Sequence, residues 1–403
     1  MKQYFSNLFI NLIKKINLKP DKNQNKQKDR IEYIDFLRAS AVVLMIFAHV
    51  LDATLSPEFK KDNLYRLMNF INGFVAPAFL FAAGASFTII ITKRKNDIIN
   101  FQKPFFKQLW RVIQLLAIGY FLHLPYKTLN QMNTIITRDE YINFVRSDIL
   151  HVIAFGLLIS LIVLIIFRKE KRFYLVIFII SLLTISLTPL FRNITFGDNL
   201  PIEIATFMNK QYNSIFPLFP WLAYLFIGSI VMYYIIKYSR EGGIEDIFKK
   251  LFFLCIILIS LSAIPELIGI QPSDKYNFWH TSVNIVCIKL CVVILYMLLM
   301  WKLENKYNYK MKIVKIFGKE SLFVYVFHLI IVYASIFSIG LNKSIGRNLD
   351  RVEMFLVFLG VVIVSLIATY IWNYIKNTSL LLTRILLFLF VGYFAYYFLT
   401  KPF

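Results

Sequence analysis

The sequence is a succession of apolar runs, each about twenty residues long, joined by short polar connections. A helix of that length matches the hydrocarbon core of a bilayer, which is roughly 30 Å thick. Inside hydrocarbon the backbone finds no water to bond, so such runs must close their hydrogen bonds within themselves as helices. About eleven segments meet the criterion: 33–54, 67–91, 105–125, 149–167, 173–190, 215–237, 251–270, 281–301, 321–341, 354–374 and 381–399. The expected fold is all-α, a polytopic integral membrane protein occupying residues 31–403. No internal repeat of the kind that builds many transporters is visible.

Composition excludes the alternatives. Hydrophobic residues make up 58% of the chain and charged residues 17%, whereas soluble domains sit near 45–50% and about 25%. Forty Phe and 23 Tyr have no place on a water-facing surface. The net charge of +22 does not indicate nucleic acid, because Lys and Arg fall in short clusters between the apolar runs rather than on one face. Positive clusters occupy the N-terminus and every second connection: 93–95, 168–172, 237–250, 302–312 and 376–384. The positive-inside rule places these in the cytoplasm of a cell inner membrane, with the longer loops 126–147 and 191–213 outside. An odd number of spans then puts the N-terminus inside and the C-terminus outside. Residues 1–30 lack a cleavage site, and residues 4–16 read as a basic amphipathic helix on the inner leaflet, followed by a polar linker.

Ionisable side chains within a membrane are costly and so become functional candidates. The first span carries four, Asp35, Arg38, His49 and Asp52, in IDFLRASAVVLMIFAHVLD, residues 34–52. At 100° per residue, with Arg38 at 0°, His49 falls at about 20°, Asp35 at about 60° and Asp52 at about −40°. All four share a stripe suited to a polar cavity. Arg38 and His49 are separated by roughly 16 Å of helix axis. A long ligand with an anionic head and a reactive tip spans that distance, and coenzyme A has this shape. Arg offers phosphate a planar fork of donors. His titrates near neutrality and suits proton transfer, and Asp52 can fix its tautomer. The milder reading is an interfacial Asp35–Arg38 pair and a hydrogen-bonded core His49.

An Arg and a His with ten residues between them on the first helix resemble the signature of the bacterial membrane O-acyltransferases that modify polysaccharides. The same run, followed by FVAPAFLFAAGASF at 74–87, resembles even more the catalytic domain of the heparan-alpha-glucosaminide N-acetyltransferase family. DILHVIAFGLL (148–158), FPLFPWLAYLFIGS (216–229) and FGKESLFVYVFHL (317–329) fit the same wider group. The resemblance implies acyl transfer, usually acetyl, from cytoplasmic acetyl-CoA to a sugar across the membrane. It implies His49 as the catalytic His and Arg38 as the motif Arg of the O-acylating branch. Two departures leave amine against hydroxyl acceptor open: no luminal domain is present, and residues 53–66 contain no His beyond the helix end. Ala39 follows Arg38 where relatives often carry Gly.

Further candidates lie in later spans. Asp148 and His151 can bind an acceptor sugar or cap the helix they begin. Ser321, Tyr325 and His328 share one helix face, with Glu320 nearby, as an acceptor contact or an interhelical hydrogen-bond cluster. Asn72, in the second span, can bond an acceptor or an oxyanion. His123 and His280 sit near outer helix ends, where a polar side chain needs no special reason. Cys287 and Cys291 share a face with His280, but His280 and Cys291 are about 16 Å apart along the axis, which excludes one metal ion. The sequence thus reads as a membrane acyltransferase with acetyl-CoA as donor, no metal, and a sugar or glycan acceptor on the outer side. His49 and Asp52 are its catalytic pair, Arg38 and Asp35 hold the donor, and direct transfer and an acyl-histidine intermediate stay open. A homodimer is left open. The rivals are a transporter or flippase for a sugar-lipid and a membrane glycosyltransferase.

Overall fold

Residues 31–126, 128–268, 282–307, 312–333 and 339–401 are described by a computed structural model. The amphipathic segment expected over 1–30 and His280 lie outside the described residues. In chain order the helices are α1 Glu32–Thr54, α2 Asn63–Asn72, α3 Val75–Ile99, α4 Lys103–Leu122, α5 Leu129–Thr134, α6 Arg138–Val145, α7 Ile149–Ile166 and α8 Glu170–Phe191. They continue as α9 Ile202–Met208, α10 Leu218–Arg240, α11 Ile244–Leu267, α12 Val283–Tyr307, α13 Lys312–Lys319, α14 Ser321–Tyr333, α15 Leu341–Ser344, α16 Arg351–Thr378 and α17 Leu380–Thr400. No strand occurs among the described residues, and the architecture is all-α.

Nine helical spans among the described residues are long and apolar enough to cross a membrane, with α2 and α3 counted together. Two of the expected segments fall short of that test for visible reasons. Helix α4 is 20 residues long but carries Lys103, Lys107 and Arg111 in its first half. The described part of α14 is 13 residues. The second expected segment breaks at Gly73, so Asn72 ends α2 instead of lying within a continuous span.

The centre of the bundle is the pairing of α3 with α10. A Cβ added at Gly84 would collide with the Leu225 carbonyl, and one at Gly228 with the Phe81 carbonyl. Only glycine lets the two backbones approach this closely, the device that packs helices where the hydrophobic effect is absent. Thr88 Oγ1 then donates across the contact to the Ser229 carbonyl at 2.9 Å. Helix α4 lays a stripe of Gln108, Val112, Leu115 and Gly119 inward. Helix α17 buries almost none of its surface, as a helix facing lipid does.

The connections 126–147 and 191–213, expected as loops, form a compact cap. Thr206 Oγ1 donates to the Val145 carbonyl at 3.1 Å, Ser147 N to Ser214 Oγ at 3.1 Å, and Asn213 Nδ2 to Asn143 Oδ1 at 3.3 Å. Tyr141 donates to Glu203 across the same contact. Asn209 Nδ2 clamps the turn after α8 through the Phe191 and Ile194 carbonyls, each at 2.8 Å. The cap ties the start of α7 to the start of α10, where Ser147 Oγ donates to the Phe216 carbonyl at 2.6 Å.

Candidate active site

Arg38 and His49 project from α1 with the spacing its helical rise dictates. Arg38 bridges to α3: its guanidinium donates to Ser86 Oγ and to the Ala82 carbonyl, the latter at 3.5 Å. Asp35 Oδ1 lies 3.6 Å from Arg38 Nη1, so the two are an i,i+3 pair, with both side chains largely buried. Gly318 of α13 packs directly on the Asp35 backbone, where any Cβ would collide with its carbonyl.

His49 faces α14. Its Nδ1 lies 3.1 Å from the Tyr333 hydroxyl, and its ring centre is 5.4 Å from that of His328. Tyr333 Oη is also 3.5 Å from Asp52 Oδ2. A carboxylate only accepts, so the hydroxyl proton goes to Asp52 and the hydroxyl oxygen accepts from His49 Nδ1–H. That arrangement leaves the lone pair on His49 Nε2. Asp52 therefore reaches His49 through a tyrosine rather than by direct contact. Its carboxylate, about half exposed, also meets Lys60 Nζ at 3.3 Å and Arg347 Nη2 at 3.2 Å.

The other imidazoles are equally ordered. His328, fully buried, has its Nδ1 2.7 Å from the Val324 carbonyl, which can only accept. Its Nε2 is then a bare lone pair, buried and unpartnered. Tyr325, one turn earlier, donates to Asp148 Oδ2 at 2.9 Å. Asp148 caps α7, accepting from Ile149 N, while its own N–H donates to His151 Nδ1 at 3.2 Å. His151 Nε2 is buried without a partner, and its ring rests on Gly119 so closely that a Cβ there would lie 2.6 Å from Cε1. His123 Nε2 stands 4.0 Å from Asp148 Oδ2, and its ring stacks on that of His151 at 6.0 Å.

A polar column thus runs from His123 through Asp148, Tyr325, His328 and His49 to Tyr333 and Asp52. It joins α4, α7, α14 and α1. Asp148, His151, Tyr325 and His328, expected as acceptor contacts, all belong to it. Ser321 starts α14 seven residues before His328, roughly 10 Å down the axis. Glu320 pairs with Lys376 of α16, at 2.9 Å. Asn72 stands apart at the end of α2, its Oδ1 buried and unpartnered. Tyr333 is an addition, and His123, set aside in the sequence as a helix-end residue, joins the column. A histidine near a helix end and a tyrosine in an apolar helix carry no sequence signal that separates them from structural residues.

Among the described residues no three His, Cys, Asp or Glu side chains are grouped to hold a metal ion. The catalytic domain of heparan-alpha-glucosaminide N-acetyltransferase matches residues 30–264, more than half of the chain. The chain belongs to this family. The match makes it a multi-pass membrane protein of acyltransferase class. It takes in α1 to α10 and most of α11, so Arg38, His49, Asp148 and His151 lie within it and Tyr325, His328 and Tyr333 beyond it. Comparison with curated proteins gives no match.

Proposed function

We propose that this acetyltransferase-family protein moves an acetyl group from acetyl-CoA to a hydroxyl or amine of a sugar on the opposite side of the membrane. The observation that carries the reading is the pairing of His49 Nδ1 with Tyr333, which orients Nε2 as a base on the same helix as Arg38. Arg38, already aligned by Asp35 and Ser86, supplies the planar donors that a phosphate of the donor requires. The thioester then extends along α1 toward His49.

In direct transfer the acceptor hydroxyl or amine attacks the thioester carbonyl as His49 Nε2 takes its proton. The carbon–sulfur bond breaks, and the departing thiolate receives that proton from the imidazolium. Tyr333 and Asp52 stabilise the imidazolium through Nδ1, the role an acid plays in a triad. Asp148, His151 and Tyr325 supply donors and acceptors for sugar hydroxyls, and the lone pair of His328 Nε2 accepts one more. The alternative order, in which His49 itself first carries the acetyl group, uses the same atoms in two steps.

The test is His49→Ala in the purified full-length protein. Loss of a general base costs typically 10²–10⁴-fold in rate. The variant is expected to lose acetyl transfer by at least about 10²-fold while retaining acetyl-CoA binding. Retention of most activity would remove His49 from the chemistry. Movement of a sugar-lipid by the wild type without acetyl-CoA consumption would favour a transporter instead.

A further inference from the structure

Lys289 lies inside the apolar helix α12, six residues from its start, or roughly 9 Å along the axis. His49 lies five residues from the end of α1, or roughly 7.5 Å. Lys289 is outside the residues matched by the family, so the family assigns it nothing. Its side chain is half-buried, and among the described residues it makes no ion pair and no hydrogen bond. The charged group that acts on it is a second cation, Lys210, from the short 3-10 helix Lys210–Tyr212 of the cap. Lys210 in turn feels Arg192, again a cation.

The ammonium points at the junction of α2 and α3. A Cβ on Gly73 would stand 3.8 Å from Lys289 Nζ, so the side chain is in contact with this turn. The carbonyls at the end of α2 are already engaged: Asn69 and Phe70 both accept from Gly73 N at 3.1 Å. Beside them Asn72 offers an amide with its oxygen buried and unpartnered. An ammonium that low in a membrane helix is expensive, and the approach of another lysine makes it more so. Among the described residues neither cost is offset by an acid. A bound anion offsets both.

We propose that Lys289, with Asn72 beside it and within the electrostatic reach of Lys210, binds an oxyanion of a sugar-sized ligand, a carboxylate or a phosphate. The ammonium gives the oxyanion charge and three donors, and the buried Asn72 Oδ1, which only accepts, takes a neighbouring hydroxyl of the sugar and so orients the ligand. The site stands without the acyltransferase reading. If that reading holds, the ligand is the acceptor, and this protein selects an acidic or phosphorylated sugar.

The experiment uses equilibrium binding to the full-length protein in detergent. Three probes are methyl glucuronoside, glucose 1-phosphate and neutral methyl glucoside. At least one anionic probe is expected to bind about tenfold or more tightly than the neutral one, as a charged hydrogen bond supplies. Lys289→Met keeps the stem and removes the charge; it is expected to erase that gap and leave neutral binding unchanged, while Lys289→Arg preserves it. A preference for the carboxylate identifies a sugar acid, and one for the phosphate a phosphorylated sugar. The unliganded Lys289→Met protein is expected to melt higher than wild type, because an uncompensated charge has been removed; a merely structural lysine would melt lower. Equal binding of charged and neutral probes, absence of anion binding, or a gap that survives in Lys289→Met overturns the proposal. Acetyl-CoA turnover is followed in parallel. Lys289-dependent anion binding in a protein that never consumes acetyl-CoA would sink the acyltransferase reading and leave this site standing.

Discussion

A neutral imidazole acts as a base from one nitrogen, and the bond made by the other nitrogen decides which. For His49 that bond is to Tyr333, and for His328 to the Val324 carbonyl. Removing the tyrosine hydroxyl should therefore affect catalysis more than folding. Tyr333→Phe keeps the ring that packs edge-on to His49 at 5.3 Å and deletes only the oxygen. The expected outcome is a fall in kcat of about tenfold, the worth of one hydrogen bond to a charged transition state, with KM for acetyl-CoA unchanged. Asp52→Asn should cost less, because its carboxylate is half exposed and shared with Lys60 and Arg347, where screening is strong. Steady-state kinetics on both variants check the order; a larger loss in Asp52→Asn would mean that the tyrosine is not the link. The stripe of Asp35, Arg38, His49 and Asp52 was legible because helical periodicity places residues on a face. The tyrosine between His49 and Asp52 was not, since it arrives from α14, and periodicity within one helix says nothing about its neighbour. Lys289, a lysine inside an apolar run, meets the same cost criterion but was not singled out from the sequence.

At the scale of elements the apolar segments declared themselves and the polar connections did not. A run of twenty apolar residues has one stable form in lipid, whereas a loop of mixed polarity folds only through partners distant in sequence. The cap shows this: α6 begins with a capping box in which the Thr137 hydroxyl and the Glu140 carboxylate satisfy each other's backbone N–H. That local signal sits in the sequence, but Tyr141–Glu203 and Thr206–Val145 close the cap across sixty residues. The same carboxylates make the cap sensitive to acid. The Thr137 backbone N–H, then the Thr137 hydroxyl and Tyr126, hold Glu140 below the usual carboxylate range, and the Tyr141 hydroxyl does the same for Glu203. A depressed folded pKa stabilises the fold above the unfolded value and loses that stabilisation as pH falls through the folded one. Protection of the 137–145 amides from hydrogen exchange should thus hold from pH 7 to about 5 and decline below roughly 4, once corrected for intrinsic rate. In Glu140→Gln the decline should shrink. An unchanged profile would show that the cap does not depend on this carboxylate.

For the whole molecule, the central question is which end of the column meets which compartment. Two independent features bear on it. The basic clusters at 93–95, 168–172 and 376–384 flank the helix ends near Arg38, and the cap with Asp148 and His151 lies at the opposite helix ends. By the positive-inside rule we propose that Arg38 lies toward the cytoplasm and the cap outside. The side chains agree with that order, for the phosphate-binding residue type stands at the basic end and the neutral hydrogen-bonding groups gather under the cap. This follows only if α1 is a continuous helix, and its 23 residues run without a break past both Arg38 and His49. Coenzyme A is too polar to cross a bilayer unaided, so the two compartments can be supplied separately. In proteoliposomes of fixed orientation, acetyl-CoA should support transfer when it is offered at the face of the 93–95 connection and fail when offered at the cap. Acetylated sugar should appear in the cap compartment. A cysteine placed at Lys169 and probed with an impermeant thiol reagent reports the orientation of each preparation independently of activity. Transfer driven by acetyl-CoA from the cap side would reverse the path along α1, and with it the assignment of Arg38 to the donor.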